Sequence, residues 1–111
     1  MPLPGFTITS IDDVPAMAVT SLITVKTIKE PTPDDPSVIQ WYRMAPNATA
    51  GEDLHHESEH LYILEGEFHD GDRAWPAGSR ISGKRGSVHY PSSKLGCTFL
   101  AFFPNGLGKA D

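Results

Sequence analysis

The chain has a single cysteine, so no internal disulfide can staple it. It also has few long stretches free of proline and glycine. With ten of each in 111 residues, only two such windows are long enough for an ordinary helix, residues 16–30 and 52–65. Lys and Arg are scattered from Lys26 to Lys109 and the formal net charge is −5, so the chain lacks the basic face that nucleic-acid binding requires. No apolar run approaches the roughly 18 residues of a membrane span. The first residues, Met1-Pro-Leu-Pro-Gly-Phe6, have neither a basic region nor an apolar core, so they do not read as a signal peptide. These absences predict one small domain over residues 1–111, in the cytoplasm, with no nucleic-acid or membrane partner.

What is present favours strands. The window Ala16–Glu30 holds Val19, Thr20, Ile23, Thr24, Val25, Thr27 and Ile28. Such β-branched side chains lose rotamer freedom in a helix and suit a pleated surface. Val38–Ala45 reads as a strand between Pro36 and Pro46, Leu61–Phe68 as a strand broken at Gly66, and Cys97–Phe103 as a buried strand. Asp70-Gly71-Asp72 is a hairpin-type turn, after which Arg73–Trp75 pairs back. Arg80–Ser82 and Ser87–Tyr90 are shorter strands around the turn Gly83–Gly86. Turns every eight to twelve residues fit a small sandwich or barrel. The expected layout is an N-terminal arm with edge strands at 1–36, a barrel core at 37–103 and a loose tail at 104–111.

The densest chemistry lies in LHHESEHLYILEGEF, Leu54 to Phe68. Read from His56, it contains His-Glu-Ser-Glu-His, the H-E-x-x-H pattern of zinc peptidases. That pattern needs a helix, so that His56 and His60 share a face and Glu57 reaches a zinc-bound water. The sequence argues against one. Leu61-Tyr62-Ile63-Leu64 would wrap around a helix rather than form a stripe, and Ile63 stands where the extended motif has glycine. The peptidase reading is therefore a remote alternative.

Read from His55, a longer pattern emerges. His55-x-x-x-Glu59, six residues and Gly66 are followed by Pro76-Ala77-Gly78 and then Gly86-x-x-His89. This arrangement resembles the cupin superfamily, and Leu61 to Phe99 resembles most the small single-domain cupins of the ChrR type, the zinc-binding domain of certain anti-sigma factors. The resemblance implies an all-β, double-stranded β-helix or jelly-roll barrel with little helix and one metal ion in its lumen. It also implies a homodimer, for which Ala16–Glu30 offers an edge strand. Three of the four family ligand positions carry over as His55, Glu59 and His89. The first histidine of the family's His-x-His is here Asp53, and Lys84 replaces the proline that opens the second motif's turn.

Strand geometry is compatible with that set. Side chains alternate, so Asp53 and His55 face the same side. A straight strand would put Glu59 about 13 Å from His55, too far for one ion. The chain must bend, and His56-Glu57-Ser58 is the polar place to do so. The fourth ligand is then Asp53, with His56 as the alternative. Two imidazoles and a carboxylate suit Fe²⁺ or catalytic Zn²⁺, and a second carboxylate shifts the preference towards Mn²⁺ or Fe²⁺.

The expected function is a metal-dependent enzyme, dioxygenase- or lyase-like, acting on a small oxygenated molecule. Glu59 could alternatively serve as a base. A non-catalytic sensor or a metal-free barrel are the competing readings. Trp41, Arg43, Tyr62 and Phe99 are candidate pocket residues. His69, beside Asp70-Gly71, reads as a solvated turn residue, and Cys97 as a buried structural thiol.

Overall fold

The computed structural model describes residues 3–108. Its strands are β1 (Met17–Thr20), β2 (Ile23–Lys29), β3 (Val38–Met44), β4 (Ala48–Thr49), β5 (Asp53–Leu54), β6 (Glu59–Asp70), β7 (Arg73–Pro76), β8 (Arg80–Gly83), β9 (Val88–His89), β10 (Pro91–Ser93) and β11 (Cys97–Phe103). The described helix is a single 3-10 turn at Ile11–Asp13. A curled sheet runs β1-β2-β3-β11-β6-β10-β4, with β7 and β8 also paired to β6, and β5 pairs with β9 alone. All strand pairings are antiparallel. This is the all-β, barrel-type fold expected. No helix among the described residues is long and apolar enough to cross a membrane.

Proline and glycine set most strand ends. Pro36 precedes β3, Pro46 follows it, Gly71 turns β6 into β7 and Gly78 turns β7 towards β8. β11 occupies the centre, with Phe99 opposite Tyr42 of β3 and Ile63 of β6. The core is Ile23, Met44, Ala48, Leu61, Ile63, Phe68, Cys97, Phe99 and Ala101. Burying one such aliphatic or aromatic side chain stabilises by about 1.5–3 kcal/mol. Cys97 is 5 % exposed, and burial pushes its thiol pKa up, which leaves it an inert packing group.

Four expectations need correcting. Ala16–Glu30 is not one strand but a hairpin, turned at Ser21-Leu22, with Leu22 N–H donating to Thr20 Oγ1. β6 is not broken at Gly66. It runs through, and a bulge opposite Thr98–Phe99 reverses its facing. Before the bulge Glu59, Leu61 and Ile63 point inward; after it Phe68 does. Gly66 sits at φ +77° against the Gly96 carbonyl, where a Cβ would collide with backbone. His69 belongs to β6 rather than to the turn, and its Nε2 lies 2.9 Å from Glu67 Oε1. The tail is not loose throughout: Gly106 N–H donates to Phe103 O, and Gly108 rests on His56. Residues 109–111 of that tail lie outside the described residues.

Candidate metal centre

The site is built where β5, β6 and β9 meet. The pairing of β5 with β9 puts Asp53 opposite His89. Two further backbone bonds extend that ladder: His55 N–H donates to Ser87 O at 2.9 Å and Gly86 N–H to His55 O at 2.9 Å. The chain then bends at His56-Glu57 and returns as β6, which begins with Glu59. The straight-strand separation is thereby removed. One donor atom from each of Asp53, His55, Glu59 and His89 lies within 4.8 Å of the other three.

Within this group, His55 Nε2 is 3.1 Å from Glu59 Oε1 and His89 Nε2 is 3.0 Å from Asp53 Oδ2. The two imidazoles meet edge to face, with ring centroids 4.6 Å apart. Behind His55 lies Gly83 of β8, where a Cβ would come within 2.6 Å of His55 Cδ2. Only a residue without a side chain leaves the ring where it is. Behind His89 lies Phe68, 6.1 Å between centroids, and its Nδ1 faces Asp70 Oδ2 at 3.9 Å. Asp70 is itself tied by the Tyr90 N–H, 2.9 Å from Oδ1.

The ionisable groups are set against one another. Burial pushes the Glu59 carboxyl up to about 7, and the Asp53 charge adds to that. Asp53 is held below the usual carboxylate range by its contact with His89. Burial holds His55 down, with the neighbouring His89 acting the same way. Burial also pulls on His89, but the contact with Asp53 and the charges of Asp53, Glu59 and Asp70 together raise it. Tyr42, close by on β3, is pushed up to about 12, mainly by burial and then by Glu59 and Asp53.

The donor set fits a divalent cation. Two donors bound at about 2.1 Å and at a right angle lie about 3 Å apart, close to the two contacts seen here. Two imidazoles and two carboxylates on one side of a cavity are ordinary ligands for Fe²⁺, Mn²⁺ or Zn²⁺. His56 lines the cavity but stays outside the group of four, because strand alternation turns it away from Asp53 and His55. His60 lies on β6 with Nδ1 2.7 Å from Ser82 Oγ. His56 and His60 therefore share no helix, and the peptidase geometry is absent.

The four donors open into a cavity of about 330 Å³. Its apolar walls include Tyr42, Leu61, Phe68, Phe99, Phe103 and Leu107. Tyr42 and Phe99 stack with centroids 5.1 Å apart, and Phe68 stands at 85° to Phe99. Of the four pocket residues expected from the sequence, Phe99 is here and the others are not. On β3 the inward residues are Val38, Gln40, Tyr42 and Met44, so Trp41 and Arg43 point out, towards a groove on the far face. Tyr62 on β6 is 48 % exposed for the same reason. Tyr42, Gly83 and Leu107 were missed. Tyr42 is next to Trp41 between Gln40 and Arg43, one polar residue on each alternation, and nothing local says which faces in. Gly83 looked like any turn glycine.

The sequence profile of the ChrR cupin-like domain matches residues 6–105. The chain belongs to this family. No curated protein matches it in sequence. Among solved structures, the cupin barrel superimposes on the polyketide cyclase RemF from Streptomyces resistomycificus with a TM-score of 0.77 and 24% identity, over 90% of this chain and 80% of that one. An acetylacetone dioxygenase from Acinetobacter johnsonii gives a TM-score of 0.70 at 12% identity, over 94% and 76%. The complex of SigE with the anti-sigma ChrR from Rhodobacter sphaeroides gives 0.71 at 16%, over 85% of this chain and 50% of the matched one. At these identities the likeness is one of fold.

Proposed function

We propose that this cupin is a metal-dependent enzyme acting on a small oxygenated organic molecule. The observation that carries the proposal is the group Asp53, His55, Glu59 and His89 at one side of an apolar cavity. These four residues would hold one divalent ion, Fe²⁺, Mn²⁺ or Zn²⁺. Such an ion polarises a substrate oxygen, and iron adds oxygen-dependent cleavage to the lyase chemistry open to all three.

The residues around it have definable tasks. Asp53 and Glu59 balance the charge of the ion. In the alternative role, with the ion held by the other three residues, Glu59 would take a proton from an enolisable substrate. Tyr42, Phe68 and Phe99 exclude water from the reacting end. Gly83 leaves the His55 ring its place. The substrate contacts expected of Trp41, Arg43 and Tyr62 pass to Tyr42, Leu61 and Phe68.

Metal analysis of protein purified without chelators tests the reading, with about one equivalent of metal expected. If none is found and none binds on addition, the reading fails. With iron bound, oxygen uptake is then measured against diketones, phenols and thiols. A second reading, a metal- or ligand-binding sensor without turnover, is favoured by the structural likeness to the anti-sigma ChrR complex. Stoichiometric metal with no turnover of any panel member would select it. A cytoplasmic location and a homodimer through the edge of β1 accompany both readings, and sedimentation velocity checks the second.

A further inference from the structure

The cavity is unusual in its charges. Four carboxylates line it, Glu52, Asp53, Glu57 and Glu59, together with the imidazoles of His55, His56 and His89. Among the described residues, no lysine or arginine lines it. Four of the described cations are engaged or placed elsewhere. Arg43 is exposed and borders the groove on the opposite face. Lys26 Nζ donates to Ile11 O and lies 5.5 Å over the Trp41 ring. Lys29 Nζ donates to Ser37 O, and Arg80 is exposed on β8.

Among the described residues, the neutral side-chain donors of the wall other than His56 are already engaged. The Tyr42 hydroxyl donates to Gln40 Oε1 at 2.8 Å, and Gln40 Nε2 donates in turn to Thr27 Oγ1. The Nε2 atoms of His55 and His89 face Glu59 and Asp53. A divalent ion held by Asp53 and Glu59 would be neutral together with them, which leaves the net negative charge of Glu57, half-buried, and Glu52, exposed and accepting from the Tyr90 hydroxyl, on the lining. A carboxylate entering this space would lose its hydration and meet like charge, and neither loss is offset by a cationic partner. The net charge of −5 adds repulsion during approach.

We infer that the cavity selects uncharged molecules with an apolar body and an oxygen-bearing head, and rejects carboxylates of the same shape. This rests on the enzyme or ligand-binding reading above and narrows its substrate class to ketones, enols, phenols and amides that are neutral near pH 7.

Naphthamide and naphthoate, matched in shape and different in charge, serve as probes by isothermal titration. Both are measured on metal-free and on Zn²⁺-loaded protein. Naphthamide should bind at least about tenfold more tightly than naphthoate in both forms. The variant Glu52→Gln/Glu57→Gln alters no residue of the cavity's aromatic wall or of the group of four. It should narrow that gap several-fold by strengthening naphthoate, with naphthamide unchanged. Naphthoate binding as tightly as naphthamide overturns the inference, as does binding of neither probe, or an unchanged gap in the variant. Failure to bind metal would sink the enzyme reading alone, because the charge preference is read on the metal-free protein as well.

Discussion

The long strands β3, β6 and β11 and the short pair β5–β9 differ in what holds them. β11 is registered with β3 along its full length, Cys97 to Phe103, and with β6 from Cys97 to Phe102. Its inward residues are the core. The β5–β9 pair has only Asp53↔His89 and Leu54↔Val88, with Leu54 and Val88 both exposed. Yet three of the four metal-type donors sit on or beside that pair. The framework is stabilised by burial, whereas the donors are placed by backbone bonds, by the clearance at Gly83 and by the Phe68 ring behind His89. A site carried this way is adjustable in its ligands and sensitive to small steric changes.

The contrast can be broken hardest at Phe68, which serves both regions. Phe68→Ala removes a side chain with 0% exposure from the core and should cost about 3–5 kcal/mol in urea unfolding. Metal affinity should fall with it, as His89 loses its neighbour. A loss below about 1 kcal/mol would mean the two regions are independent at this point.

Gly83→Val separates them. The new side chain must displace the His55 ring, so metal affinity should drop by about 10–100-fold in a chelator competition. The framework should lose less, about 1–3 kcal/mol of overpacking. Unchanged metal affinity would remove Gly83 from the account.

The pH dependence of the metal-free protein sharpens the same division. Glu59 is pushed from 4.5 to about 7 in the folded state. The folded protein thus binds more protons than the unfolded chain in that window. Its contribution to stability is complete below about pH 4.5 and is lost as pH rises through about 7, by roughly 1–3 kcal/mol. Thermal melts of Glu59→Gln should lack that loss when compared with the parent protein. Metal affinity should run the other way and rise through pH 7, because the ion displaces the proton. The smallest effect is expected at Arg43→Ala on the outer face: stability within about 0.5 kcal/mol and probe binding unchanged. A tenfold loss of probe binding there would return Arg43 to the pocket.

Strand ends were legible at Pro36, Pro46 and Gly71, but not at Gly66, through which β6 runs. Val38, Cys97 and Phe103 came out at their observed places, and the bend at His56-Glu57 followed from the distance a straight strand would impose. The hairpin at Ser21-Leu22 was not legible, because no proline or glycine marks it inside a run rich in β-branched residues. The facing of β3 was not either. In Val38–Met44 each alternation carries one polar residue, Gln40 on one and Arg43 on the other, so the sheet that covers one side decides which faces in. Leu107 could not be placed because its contact is with the cavity wall and not with its sequence neighbours.

The likeness of its motifs to those of the cupin family pointed to His55, Glu59 and His89 as ligands, while composition and turn spacing determined an all-β chain free of a peptidase helix. They did so because turn chemistry and side-chain alternation are local properties. Only the tertiary structure groups Asp53 rather than His56 with the other three donors, through the pairing of Asp53 with His89 across β5 and β9. It alone decided that, among the described residues, no arginine lines the cavity. Both outcomes depend on which residues meet across the barrel, and that is a property of packing rather than of sequence order.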